Sequence, residues 1–298
     1  MTTNPTALPG AEHSGTPRSP FPAASGTRLI ASDLDGTLLD ESGEVSPRTA
    51  AAISAATATG LVVMAATGRQ VPQVPRSLLD CGVRYVVGSN GAIGTDLVEG
   101  TVLFEDLLTP EVSADIVTYL TGELEGVRFS AVRGSGTHHA AEPGYFELLT
   151  PREQELWWSQ FERQDLAEVV GTPTLKLTVR HPVLTADELR VVLDASGLPG
   201  FSATTSGAPF LEVQGAGVTK ASGVAQVCDL LGVDAGQVVS AGDANNDVAL
   251  LAWAGVGVAM GNAVEEVLAV ADWVTAPNHE DGLALTIEQV LSQVQAGR

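Results

Sequence analysis

Apolar runs of four to six residues recur along this chain, and four of them end in turns that mix glycine with polar side chains. Arg28 to Ser32 leads into Asp33-Leu34-Asp35-Gly36-Thr37-Leu38-Leu39, and Leu61 to Ala66 into Thr67-Gly68-Arg69. Arg84 to Val87 leads into Ser89-Asn90-Gly91, and Val238 to Ala241 into Gly242-Asp243-Ala244-Asn245-Asn246-Asp247. Short apolar runs bounded by such turns read as buried strands. Helical patterns lie between them. Ser46-Pro47 opens one that runs to Gly60, with proline at the first helical position and glycine past the end. Others cover Lys220 to Leu231, Asn246 to Trp253 and Ala263 to Ala271. This alternation predicts an α/β fold, a parallel sheet with helices on both faces. Ligands of open α/β sheets bind beyond the carboxyl ends of the strands, so the polar turns are expected to converge on one site.

Their chemistry is that of a hard cation and an anion. Asp33 and Asp35 stand at i and i+2 of an extended segment, so both can face one cleft, and Gly36 lets the chain turn away at once. Two carboxylates held together repel unless one is protonated or a cation neutralises them. Mg²⁺ favours such an oxygen site, with few protein ligands and a substrate phosphate. Gly242 to Asp247 offers further carboxylates and amides at a second strand-to-helix turn, and Thr67-Gly68-Arg69 adds a hydroxyl, flexible backbone amides and a guanidinium. Lys220 opens a helix, where the dipole disfavours a cation. In a chain with only two lysines, Lys176 and Lys220, that placement points to a role in the site. Spacing alone does not say which leading aspartate plays which part.

The pattern changes between residues 93 and 209. Short strands come in pairs there, such as Ala92 to Thr95 with Thr101 to Phe104, and capping boxes at Thr150 to Glu153 and Thr185 to Glu188 open helices. The expected division is a disordered tail over 1–26, a catalytic core in two pieces over 27–92 and 210–298, and an inserted α+β domain over 93–209. The tail is rich in Pro, Ser, Thr, Gly and Ala and lacks the charged start and apolar stretch of a signal peptide.

Taken together, the Asp33 to Leu39 start, Ala66 to Arg69, Ser89 to Ala92, Lys220 and the Gly242 to Asp247 loop resemble, in order, the motifs of the haloacid dehalogenase-like hydrolase superfamily. The likeness covers roughly Thr27 to Gly282 and is greatest to the Cof-type branch of sugar-phosphate phosphatases. It implies a Rossmann-like core with an inserted cap of the C2B type, and Mg²⁺-dependent hydrolysis of small phosphorylated metabolites through an aspartyl-phosphate. By that resemblance Asp33 is the nucleophile and Asp35 the acid and base. The Mg²⁺ falls to Asp33, the main-chain carbonyl of Asp35 and Asp243. Leu34, Thr67, Gly68, Lys220 and Asn246 hold the phosphoryl oxygens, with Asp247, Arg69 and Asn90 in support. Dehalogenases of the superfamily lack an acid at the position of Asp35, so a phosphatase is expected. A phosphomutase on the same core is the enzymatic alternative and a non-catalytic sugar-phosphate sensor the alternative from another class, though a sensor predicts a damaged motif and none is damaged.

Composition bounds the rest. Hydrophobic residues make up 44% and charged residues 17%, which marks a globular chain with ample core. A formal net charge of −21 argues against nucleic acid or an anionic membrane as partner, and means that local positive groups must bind any phosphorylated substrate. Cys81 and Cys228 form neither a metal spacing nor a disulfide framework, and no run is long enough for a membrane span. A cytoplasmic protein is expected, monomeric or a weak homodimer. Trp157-Trp158 could stack on a sugar, but adjacent tryptophans more often divide between core and domain contact. His138-His139 reads as a pair of solvated turn residues, and the glycines from Gly255 to Ala263 as a strand and turn, not a dinucleotide fingerprint.

Overall fold

The computed structural model describes residues 20–151, 153–154 and 161–297. Strands β1 (Leu29–Ser32), β2 (Val62–Ala66) and β3 (Tyr85–Gly88) are followed by a hairpin of β4 (Ile93–Asp96) and β5 (Thr101–Glu105). Next come β6 (Arg128–Arg133), β7 (His138–Ala141), β8 (Phe161–Arg163), β9 (Lys176–Arg180), β10 (Phe201–Thr204) and β11 (Leu211–Gly215). The chain ends with β12 (Val238–Gly242), β13 (Val256–Ala259) and β14 (Trp273–Val274). These strands form an eight-stranded sheet, β14-β13-β12-β1-β2-β3-β4-β5, and a six-stranded sheet, β10-β11-β9-β6-β7-β8.

The first sheet is parallel from β14 to β3, with the β4–β5 hairpin antiparallel at its edge. Successive side chains face opposite ways, so each central strand feeds two cores. Ile30, Val63, Val86 and Val239 pack with Ile53 of the helix Pro47–Ala58 and Ile287 of the helix Gly282–Ala296. Leu29, Met64, Val87 and Val238 pack with Val224 and Val227 of the helix Lys220–Leu231. Each fully buried aliphatic side chain of this kind stabilises the fold by about 1.5–3 kcal/mol. The expected α/β layering is present. The order reverses between β1 and β12, the switch point at which such sheets place their ligands.

The second sheet is antiparallel except where β8 joins β7. Phe129, Leu177, Val179, Leu211 and Val213 pack against Ile116, Leu120, Leu189 and Leu193 of the helices Pro110–Glu123 and Ala186–Asp194. The alternate residues, Ser130, Lys176, Thr178, Arg180 and Glu212, are buried although polar. This polar face meets the strand ends of the first sheet, where Lys176 Nζ donates to the Gly68 carbonyl at 2.8 Å.

Three expectations on organisation need correction. The β4–β5 hairpin does not open the insert: a turn at 89–91 folds β4 back on β3, pairing Gly88 with Ile93, so it widens the first sheet. Conversely β11, expected to resume the core at Phe210 to Val213, pairs with β9 and β10 in the second sheet, because its apolar residues fill that core. The second sheet therefore spans β6 to β11. Within residues 20–26, assigned to a disordered tail, three make contacts with the first domain: the Phe21 ring meets Trp273 edge-on at 5.0 Å, and the Gln293 side chain bonds Pro22 and Ala24. The remainder of that tail and Trp157-Trp158 lie outside the described residues, among which no helix is long and apolar enough to cross a membrane.

Candidate active site

The site starts where β1 stops. The Asp33 amide donates to the Ala241 carbonyl of β12 at 3.0 Å, which pins Asp33 between two parallel strands. Gly36 then turns the chain at φ +77°. A Cβ at Gly36 would overlap Asp243 Oδ2, so only glycine lets this loop approach the loop after β12. Thr37 Oγ1 donates to Asp243 Oδ1 at 2.8 Å, and Asn262 Nδ2 to the Gly36 carbonyl at 2.8 Å.

Beneath this contact lies a buried charge cluster. Lys220 is fully buried and donates to Asp33 Oδ1 at 2.8 Å and Asp247 Oδ1 at 2.7 Å. Asp247 Oδ2 accepts from the amides of Asp243 and Ala244, each at 3.0 Å. Oxygens of Asp33, Asp243 and Asp247 lie within 4.8 Å of one another, so three carboxylates face one ammonium. Burial, then the Asp247 charge, push Asp33 well above the usual carboxylate range against the pull of Lys220. Burial and Asp247 likewise push Asp243 up to about 6, despite the Thr37 hydrogen bond. Burial works against the Lys220 charge, but Asp247 and Asp33 outweigh it and hold its pKa above the usual lysine range. Two negative charges remain in excess, a deficit suited to one divalent cation. Both Asp247 oxygens are engaged, whereas Asp33 and Asp243 keep oxygens free for such an ion. All are hard oxygen donors, which fits Mg²⁺.

The second wall is the turn after β2. The Thr67 and Arg69 carbonyls accept from the backbone amides of Asn90 at 3.0 Å and Ser89 at 2.9 Å. The Arg69 amide donates to Thr67 Oγ1 at 3.1 Å. The Arg69 guanidinium forks onto both oxygens of Asp35 at 2.8 and 2.5 Å, and Asp35 in turn favours the arginine's charge. Asn246 Nδ2 donates to Asn90 Oδ1 at 2.9 Å. Asp33, Asp35, Thr67, Gly68, Arg69, Asp243 and Asn246 line one cavity of about 580 Å³. Lys220, Asp247 and Asn90 stand behind its wall. The Leu34 side chain is buried in the apolar core, which leaves only its backbone for phosphate.

The second sheet supplies a roof that the sequence reading did not assign. Lys176 pairs with Glu212 Oε1 at 2.6 Å, and Ser206 Oγ donates to Glu212 Oε2 at 2.6 Å. Their signal was the period-two alternation Lys176-Leu177-Thr178-Val179-Arg180 and Leu211-Glu212-Val213-Gln214, which sets polar residues on one face of each strand. His139 is not a solvated turn residue. It lies on β7, its ring stacks on Phe161 at 4.4 Å, and its Nε2 is 3.1 Å from Gln70 Nε2. Burial and the Lys176 charge lower its pKa to about 3. Tyr145 and Phe210 complete an aromatic lining.

The sequence profile of the haloacid dehalogenase-like hydrolases matches residues 30–287. The chain belongs to the haloacid dehalogenase-like hydrolase family. A putative phosphatase of Haemophilus influenzae is 30% identical over 88% of this chain and 97% of its own length. A 5-amino-6-(5-phospho-D-ribitylamino)uracil phosphatase of Bacillus subtilis is 29% identical over 87% of this chain and 94% of its own. The solved structure of a HAD subclass IIB sugar phosphatase superimposes with a TM-score of 0.75 at 25% identity, covering 88% of this chain and 98% of that one. The core and its inserted domain thus follow the subclass IIB arrangement, and the chain is a phosphatase of this family.

Proposed function

We propose that this protein is a Mg²⁺-dependent phosphatase that releases phosphate from small phosphorylated metabolites, sugar phosphates foremost, through a phosphoryl group carried on Asp33. The observation that carries this reading is the cluster of buried Asp33, half-buried Asp243 and buried Asp247 around Lys220, at the edge of a cavity roofed by a second sheet. Lys220 holds Asp33 Oδ1 and so orients the carboxylate that attacks phosphorus. Asp35 gives a proton to the leaving oxygen, and for this it must turn from Arg69, to which both its oxygens are bonded. Asp35 then takes a proton from the water that cleaves the Asp33 phosphoryl group. Thr67, Asn246 and the backbone amides of Leu34 and Gly68 hold the phosphoryl oxygens. Mg²⁺, held by Asp33, the Asp35 carbonyl and Asp243, would neutralise charge on those oxygens.

The His139–Phe161 stack with Tyr145 and Phe210 supports a leaving group that offers a ring face, as a sugar or a heterocycle does. The free, buried Cys81 and Cys228 agree with a reducing, cytoplasmic setting. Purified protein incubated with Mg²⁺ and a panel of phosphorylated metabolites should release phosphate from sugar phosphates. Activity should vanish in EDTA and return with Mg²⁺, while Ca²⁺, larger and more highly coordinated, supports it poorly. Full activity in chelator would remove the metal from this account, and no release from any monoester would remove the reaction.

A further inference from the structure

We infer that Lys176, carried by the second sheet, is a positioning residue that fixes the Thr67–Arg69 loop and so makes that loop competent only while the two sheets are closed on each other. The inference rests on the reading of this loop as a phosphate holder. Three carbonyls of the loop need partners. The first sheet supplies two, through the Asn90 amide to Thr67 and the Ser89 amide to Arg69, with both donor residues at positive φ, 58° and 49°. The middle carbonyl, that of Gly68, accepts from Lys176 Nζ at 2.8 Å. At the other edge of the same peptide, the Arg69 amide donates to Thr67 Oγ1 at 3.1 Å. A planar trans peptide points its carbonyl and its amide in opposite directions, so these two bonds together fix the plane of the Gly68–Arg69 peptide.

Lys176 is itself fixed. Glu212 stands diagonally across from it on β11, and Ser206 holds the far carboxylate oxygen of Glu212. The two side chains are 3% and 2% exposed. An ion pair this deep adds little net stability, because desolvation offsets attraction, and an apolar pair of similar size would serve the sheet equally well. What an apolar pair lacks is a donor for the Gly68 carbonyl. The segment that follows β10 also touches the opposite loop, where Asn245 Nδ2 donates to Thr205 Oγ1 at 3.2 Å, so closure is registered on both walls of the cleft.

The test compares the full-length parent with Lys176→Met/Glu212→Leu, which removes the donor without leaving an orphaned charge. Hydrogen exchange of the unliganded proteins is read over 66–70, with β1 as the internal reference. Exchange over 66–70 in the variant should rise at least about tenfold, the loss of one charge-assisted hydrogen bond, while β1 stays as in the parent. With p-nitrophenyl phosphate, the inhibition constant of inorganic phosphate should rise by about the same factor at unchanged melting temperature. If the double variant does not fold, Lys176→Gln, which loses the charge and part of the reach, is read in the same way. A folded variant with parental exchange and parental phosphate inhibition would reduce the pair to a structural ion pair and overturn the inference. A parent that hydrolyses no phosphomonoester would instead overturn the proposed function, while the exchange arm still decides the role of Lys176.

Discussion

At Asp33 a single residue carries two opposed demands. In the proposed reaction it must be charged to attack phosphorus, yet burial and Asp247 resist that charge. Asp33→Asn removes both the charge and the nucleophile at constant shape. Turnover should fall at least about 10³-fold, and without metal the melting temperature should hold or rise, because a strained charge has gone. Phosphate release together with thermal denaturation checks this, and turnover above roughly a few per cent of the parent would assign the nucleophile elsewhere. His139 gives a pH signature. Its pKa of about 3 lies below the ordinary 6.5, so between those values the unfolded chain binds a proton that the folded protein lacks. Stability conferred by neutral His139 is complete above that window and is lost as pH falls through it, by at most about 1.4 kcal/mol per pH unit. In denaturant titrations at pH 7 and pH 4.5, His139→Gln should lose less stability than the parent on acidification. An equal loss in both proteins would contradict the assignment. That Asp33, Asp35 and Asp243 would face one cavity was legible in the sequence, because carboxylates at strand ends declare themselves locally. His139 was not, since its partners Phe161, Gln70 and Lys176 meet it only through the fold.

Among the elements, the turn at 89–91 does the most with the fewest residues. It folds β4 onto β3, feeds two amides to the Thr67–Arg69 loop and seats the start of the helix Lys220–Leu231. Gly91 has φ +109°, and a Cβ there would overlap the Thr219 carbonyl beside Lys220. Gly91→Ala should therefore cost about 3 kcal/mol or more, from a strained backbone and a clash together. Gly207, at φ +77° with nothing near its missing Cβ, isolates the backbone cost, so Gly207→Ala should lose only about 1–2 kcal/mol. Urea denaturation of both variants checks the contrast, and equal losses would show that packing at Gly91 contributes nothing. The strands and helices of the first sheet were readable because continuous apolar runs and caps such as Ser46, which accepts from the Thr49 amide at 3.1 Å, act locally. The allocation of β4, β5 and β11 was not, because an alternating strand satisfies either sheet and only its neighbours decide.

For the whole molecule, a net charge of −21 means that nothing at long range attracts a phosphate ester, so recognition is confined to the cleft between the two sheets. There Arg69, Lys176 and Lys220 are each paired with carboxylates, and the proposed Mg²⁺ would offset the negative charge that remains in excess. The order of the loops after β1, β2 and β12 was legible because the switch-point rule brings strand ends together. The insert's inner face was not, because its polar residues alternate with the apolar ones that announce the sheet. The central claim is that phosphate leaves in two displacements by way of Asp33, and the stereochemical course at phosphorus tests it most directly. A thiophosphoryl ester made chiral with oxygen isotopes, hydrolysed in isotopically labelled water, should give product with retained configuration, since each in-line displacement inverts and two restore. Inversion would mean that water attacks the substrate directly, and would contradict the account.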